Sequence, residues 1–336
     1  MTAPLPENLP SPPPETPQYR PALHFTPAAH WMNDPNGLVF HQGVYHLFFQ
    51  YYPEGLSWGP MHWGHASSTD LLRWEEHPIA LYPDPLGLIF SGSVVWDERN
   101  LSGLAPAGSA PLVAIFTHHD SAAARAGAIS WETQSLAWSV DNGLTWTKYA
   151  GNPVLKNPGL RDFRDPKVFW LAETGRWVMS LSTGTQIAFY SSADLKDWQL
   201  TSKFGADAGS HGGTWECPDL FSLPLNGRQR WVLLVSLTSG GPNGGSATQY
   251  FIGDFDGQRF TPEHHDVRWL DLGCDNYAGV TWSGTGERRV FIGWMGNWDY
   301  AKVVPTAPWR SAMTLPRELS LREVSGQTRL AARPAG

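Results

Sequence analysis

From Leu23 onward, short runs of Val, Ile, Phe, Tyr and Trp alternate with turn-forming residues, and apolar residues almost never recur at helical spacing. Leu38–Phe40, Val44–Gln50, Ser93–Trp96, Leu112–Thr117, Val168–Leu171, Trp177–Leu181, Ile187–Ser191, Trp231–Leu237, Tyr250–Phe255 and Val290–Trp294 read as strands. The Ala-rich stretch Ser121–Ala128 has the only helical composition, and Gly127 inside it makes a loop the expected outcome. Overall composition points the same way. The chain of 336 residues holds 34 Gly, 28 Pro and 18 Trp, and only 16% of it is charged, against about 25% in an average domain. Helix surfaces favour Lys and Glu and exclude Pro, so an all-β protein is expected, in one large domain or two ordinary ones.

A weak repeat runs through the strands. Ser68-Thr69-Asp70-Leu71-Leu72-Arg73-Trp74 resembles Ser192-Ala193-Asp194-Leu195-Lys196-Asp197-Trp198. Ser139–Trp146 is a third copy and Asp254–Phe260 a degraded fourth. In each, an Asp or Asn side chain closes a turn and an aromatic residue a few positions on covers the next strand. The aromatic positions 74, 146, 198 and 260 are 72, 52 and 62 residues apart. Units of that length with several strands each suit the blades of a propeller, which hides sheet edges by radial repetition; an ordinary β-sandwich is the competing arrangement.

Three acidic motifs stand out. His30-Trp31-Met32-Asn33-Asp34-Pro35-Asn36-Gly37 and Arg161-Asp162-Phe163-Arg164-Asp165-Pro166-Lys167 each set an Asp-Pro ahead of a strand, and Gly212–Asp219 holds Glu216 between Trp215 and Cys217. A single Asp-Pro is a common turn. Three carboxyls in aromatic or Gly/Pro surroundings, on three different units, are more than that. Inner propeller strands converge on one axial channel, and paired carboxyls facing a sugar ring are what glycoside cleavage requires.

Other chemistries find little support. The net charge of −7 leaves no basic patch for nucleic acid or an anionic membrane surface. No apolar run approaches the length of a membrane span; Pro111–Phe116 and Trp231–Val235 are the longest. The two cysteines, Cys217 and Cys274, make no disulfide framework. The twelve histidines contain no HExxH, and the adjacent pairs His118-His119 and His264-His265 cannot comfortably share one ion, so neither metal nor cofactor is expected.

With these motifs in view, the chain resembles glycoside hydrolase family 32, the invertase, inulinase and levanase group of β-fructofuranosidases. Trp31–Gly37 resembles the family's nucleophile motif, Arg164-Asp165-Pro166 its second signature and Glu216-Cys217 its acid/base signature. The likeness extends through Phe40–Tyr52, Trp58–Ala66, Phe90-Ser91-Gly92-Ser93 and Pro308–Leu319, from about residue 23 to 322. It implies a five-bladed β-propeller in which Asp34 is the nucleophile on the anomeric carbon of a fructofuranosyl unit and Glu216 the general acid and then base. Such a retaining reaction needs the two carboxyls about 5–5.5 Å apart. Trp215, Cys217 and the Asp34 charge would push the Glu216 pKa upward. Asp165 would stabilise the oxocarbenium-like transition state, with Arg164 beside it holding it ionised. Asn33, Gln50, Trp58, Phe90, Ser91, Arg164, Asp275 and Trp298 would line the sugar subsite, with Trp294 close enough to exchange with Trp298; Trp58 and Trp63 also suit a core.

The expected partner is a fructan (levan or inulin) or sucrose. The same intermediate allows fructosyl transfer to an acceptor sugar, and a non-catalytic fructan-binding propeller is the reading from another class. The resemblance divides the chain into a disordered Pro-rich tail over 1–18, a catalytic propeller over 19–322 and a truncated linker or tail over 323–336. The family's C-terminal β-sandwich is then absent or cut short. The propeller face that would dock it is expected to promote self-association. Without a cationic start and apolar core at its N-terminus the sequence as it stands reads as cytoplasmic, and as secreted if that end is incomplete.

Overall fold

A computed structural model describes residues 18–335; the expected tail over 1–18 therefore lies, but for Gln18, outside the described residues. Among the described residues, twenty-two strands form five sheets, antiparallel but for one short parallel pair, arranged as the blades of a propeller. Their innermost strands are His30–His41, Leu88–Trp96, Arg164–Leu171, Trp215–Leu225 and Tyr277–Thr281, for blades 1 to 5 in chain order. Each innermost strand packs against the next around the channel, and that of blade 5 returns to blade 1.

Both faces of every blade are buried, which explains why the middle strands read as nearly unbroken apolar runs. Five side-chain clusters fill the five gaps. Phe48 and Trp63 of blade 1 meet Val94 and Phe116 of blade 2, and Ile115 and Leu136 of blade 2 meet Met179 and Leu181 of blade 3. Phe189 of blade 3 meets Leu233 and Phe251 of blade 4, and Val232 and Ile252 of blade 4 meet Phe291 and Leu319 of blade 5. Val280, Trp282 and Ile292 of blade 5 close the ring on Leu47 and Phe49 of blade 1. Backbone pairing helps the closure: Trp309–Arg310 runs parallel to His30–Trp31, and Ser283 bridges Val39.

The sequence repeat has a single structural meaning. All four copies lie at the turn from the third to the outermost strand, in blades 1 to 4. Asp70 accepts the N–H groups of Leu72 and Arg73, Asp194 those of Lys196 and Asp197, and Asp256 those of Gln258 and Arg259. Asp141 accepts from Thr145 N–H. Leu71, Leu195 and Gly257 take positive φ there, as does the Asn142-Gly143 pair.

Two expectations change. Ser121–Arg125 is a short helix rather than a loop, because the Asp120 side chain accepts the N–H groups of Ala122 and Ala123; Gly127 at φ 80° follows its end. Residues 323–336 are not a linker as far as they are described. Gln327–Pro334 pairs with Arg317–Val324 as the outermost strand of blade 5, through a Ser325-Gly326 turn that lacks the Asp of the other four. The last blade thus continues past 322.

Candidate active site

Every innermost strand carries a β-bulge of the same form near its start, and that of blade 1 carries a second at Gly37-Leu38. Two residues face one on the neighbouring strand: Asn33-Asp34 opposite Gln50, Phe90-Ser91 opposite Thr117, and Asp165-Pro166 opposite Leu181. Cys217-Pro218 stands opposite Val235, and Ala278-Gly279 opposite Gly293. A bulge breaks the strict alternation of a strand and re-aims the side chains next to it. Asp165, Cys217 and Ala278 accordingly sit at φ 65°, 46° and 54°. The Asp-Pro motifs therefore lie within strands, not ahead of them. Proline is tolerated because Pro166 stands in its bulge and Pro35 directly after one, where the ladder is already interrupted.

These bulges gather one site at one end of the channel. A cavity of about 420 Å³ is lined by Asn33, Asp34, Gln50, Trp58, Phe90, Ser91, Arg164, Asp165, Glu216 and Trp298 from the expected set. Asp275 does not line it; that side chain is exposed and accepts the Tyr300 hydroxyl, on the segment leading into blade 5. Trp298 is the tryptophan at the cavity, whereas Trp294 and Trp63 are fully buried in the core. Trp58 is 39% exposed and meets the Phe90 ring edge-on, which removes the core reading.

Asp34 is held from three sides. Asn33 Nδ2 donates to Oδ1 at 3.0 Å, Ser91 Oγ to Oδ2 at 2.9 Å, and the Cys217 thiol lies 3.7 Å from Oδ2. Trp31 Nε1 fixes Asn33 by donating to its Oδ1 at 2.8 Å. Burial first, then the neighbouring Glu216 charge, push the Asp34 pKa up to about 6, against the three donors that favour the ionised form.

Asp165 departs from expectation. Arg164 was expected to hold it ionised, but the guanidinium turns away. Its Nε and Nη2 donate to Glu216 Oε1 at 3.1 and 2.9 Å, and its Nη1 to Asp162 at 2.7 Å and to both Glu132 oxygens at 3.1 and 3.2 Å. Asp165 keeps one strong donor, the Cys217 N–H at 3.0 Å, and burial together with Glu216 raises its pKa well above the carboxylate range. Trp215 does not crowd Glu216 either; its ring is buried between blades 3 and 4 and its Nε1 donates to Ser210 O. What faces Glu216 instead is Tyr277, whose hydroxyl donates to Oε2.

Sequence reasoning missed Tyr277, Glu132 and the cavity residues His119, Trp131, Arg161, Asp162 and Lys302 as site residues. Arg161 and Asp162 were in view only as part of the second motif. Trp131-Glu132 repeats the Trp215-Glu216 pair, but so does Trp74-Glu75 on the outer edge of blade 1, so that signal does not discriminate. Among the described residues no group of three or more His, Cys, Asp or Glu has a metal-holding arrangement.

Comparison with known proteins fits this geometry. The model of the family described as glycosyl hydrolases family 32 N-terminal domain matches residues 24–334. The levanase of Bacillus subtilis (strain 168) is 54% identical over 324 residues, covering 94% of this chain and 47% of that protein. An extracellular exo-inulinase of Aspergillus niger is 46% identical over 347 residues, covering 94% and 64%. The crystal structure of exo-inulinase from Aspergillus awamori superposes with a TM-score of 0.88 at 42% identity, over 95% of this chain and 68% of that one. The chain thus spans roughly half to two thirds of the length of these curated relatives.

Proposed function

The chain belongs to glycoside hydrolase family 32, and from that premise we propose that it releases β-D-fructofuranosyl units from levan, inulin or sucrose with retention of configuration. The observation that carries the reading is the convergence of Asp34, Asp165 and Glu216, from blades 1, 3 and 4, on one cavity. The relatives named levanase and exo-inulinase support the substrate class.

Asp34 attacks the anomeric carbon. Ser91, Asn33 and Cys217 hold its carboxylate in one orientation, so little rotational freedom is lost on the way to the covalent intermediate. Glu216 gives its proton to the leaving oxygen and then takes one from the attacking water. Arg164 and Tyr277 clamp opposite oxygens of Glu216, which keeps the carboxyl oriented in both steps. Asp165, pinned by the Cys217 N–H through Oδ2, turns its other oxygen to sugar hydroxyls. Trp58, Phe90 and Trp298 offer apolar surface to the C–H face of the ring.

Separate incubation with sucrose, inulin and levan, with products resolved by chromatography, tests the reading. Free fructose from the wild-type chain, with loss of release by about a thousandfold or more in Asp34→Asn and Glu216→Ala, is the expected result. Near-wild-type turnover in Asp34→Asn would remove the proposed nucleophile.

A further inference from the structure

The contacts around Arg164 point to Glu132 as a positioning residue: a buried carboxylate from blade 2 that shares the Arg164 guanidinium with Glu216 and so limits how strongly that cation holds the acid/base in its ionised form. This rests on the retaining mechanism proposed above.

Glu132 opens the third strand of blade 2, Glu132–Ser139, and is 1% exposed. Its four contacts all converge on the segment carrying the second motif or on the cavity wall. Oε2 accepts the Phe163 N–H at 2.7 Å, both oxygens accept from Arg164 Nη1, and Oε1 lies 3.3 Å from His119 Nδ1. His119 in turn stacks on Phe90 with ring centres 4.2 Å apart. A carboxylate buried this deeply is tolerated only because the guanidinium compensates it, and the Arg164 and His119 contacts hold its pKa below the usual range despite burial.

The arrangement matters because the two chemical steps ask opposite things of Glu216. It must hold a proton when the leaving group departs and be free of one when water attacks. A guanidinium devoted to Glu216 alone would favour the ionised state and slow the first step. Here Arg164 divides its charge among Glu216, Glu132 and Asp162. The remaining groups around Glu216 are Tyr277 of blade 5, Asp34 of blade 1, Asp165 of blade 3 and its own neighbour Cys217, with Arg161 and Lys302 also lining the cavity. None of these accepts from Arg164 Nη1, which Glu132 and Asp162 share, while Asp165 adds its charge to the guanidinium without a hydrogen bond.

The test is the pH profile of kcat/KM on sucrose for Glu132→Gln, a change that keeps size and an acceptor for the Phe163 N–H but removes the charge. Fructose release by the wild-type chain checks the proposed activity independently. With Glu132 neutral, Arg164 holds Glu216 more tightly in its ionised form, and the basic limb is expected to move to lower pH by about half a unit to one unit. A basic limb within 0.2 pH unit of wild type, in a variant that melts as wild type does, would overturn the role. Should Glu132→Gln fail to fold, Asp162→Asn removes the other carboxylate on the same nitrogen from a half-buried position; a smaller shift in the same direction is expected, and its absence counts equally against the proposal.

Discussion

Ser91, on the innermost strand of blade 2, donates its hydroxyl to Oδ2 of Asp34, on the innermost strand of blade 1, across 2.9 Å. This bond favours the ionised carboxylate in a pocket where burial and the Glu216 charge raise its pKa to about 6. Because the proposed nucleophile must be ionised, kcat/KM should fall roughly tenfold per pH unit below that value. Removing the hydroxyl in Ser91→Ala withdraws a stabilising donor. A hydrogen bond to a charged group is worth about 1.5 kcal/mol, so the acid limb should rise by about one pH unit. A pH–rate series on both proteins checks this, and an unmoved acid limb would show that Ser91 does not set the charge state of Asp34.

The same carboxylate should weaken the fold. Its folded pKa of about 6 lies above the ordinary value of 3.8, so the native state binds the proton more tightly than the unfolded chain does. Stability is then fullest below 3.8, declines as pH rises through the interval and is flat above about 6. The loss is on the order of 3 kcal/mol. Asp34→Asn cannot pay this penalty, so its melting temperature should exceed that of wild type, by a margin that widens from pH 4 to pH 6.5 and then stays constant. Calorimetry across that range decides it; a margin independent of pH would contradict the ionisation assigned to Asp34.

The three carboxylates proposed to act were legible in the sequence because each stands beside a residue that distorts a strand. Asp34 and Asp165 precede prolines, and Glu216 precedes Cys217-Pro218. Those short signatures become the bulges that aim the side chains into the channel. Blades 1 to 4 were legible for a similar local reason, since Asp70, Asp141, Asp194 and Asp256 close their outer turns. Blade 5 turns through Ser325-Gly326 and left no such mark. Glu132 and Tyr277 were invisible because nothing in their neighbourhoods is unusual. They reach Arg164 and Glu216 only once blades 2, 3, 4 and 5 are stacked around the axis. The partition of Arg164 among three carboxylates escaped for the same reason, and the expected pairing with adjacent Asp165 gave way to Glu132 and Glu216 from other blades and to Asp162 in the same motif.

Three histidines of blade 1 pack together, His46 and His65 buried and His77 half-buried. His46 Nδ1 lies 3.1 Å from His65 Nε2, and the His65 ring sits between Phe48 and His77 at 4.3 and 4.6 Å. Burial, reinforced by the neighbouring histidines, lowers the His46 pKa to about 4 and that of His65 well below its usual 6.5. Both are neutral in the fold. Their contribution is fully present above 6.5 and is lost as pH falls toward 4, by on the order of 3 kcal/mol for His46 alone. Replacing His65 with Phe removes one of the two sites that must charge. Whatever it does to stability at pH 7, the fall in melting temperature between pH 6.5 and 4.5 should become shallower; an unchanged slope would mean that the stack does not govern acid lability.

Gly92 follows the bulge that presents Phe90 and Ser91, and it pairs with Phe116 on the adjacent strand. A Cβ there would stand 2.1 Å from Ile115 O and 2.7 Å from Phe116 Cα. Both contacts are backbone atoms of a fully buried strand, so relief requires breaking the ladder next to the site. Gly92→Ala is expected to cost about 3 kcal/mol or more, at the upper end of overpacking effects. Gly43 provides the contrast, with φ 83° and nothing within 4 Å of an added Cβ. Gly43→Ala meets only the left-handed backbone penalty of about 1–2 kcal/mol. Thermal melting of the two variants should therefore rank Gly92→Ala well below Gly43→Ala, and the surviving Gly92→Ala protein should lose fructose release as Ser91 shifts away from Asp34. Equal melting losses would mean that the strand beside the bulge can yield, and that the rigid placement of Ser91 has another source.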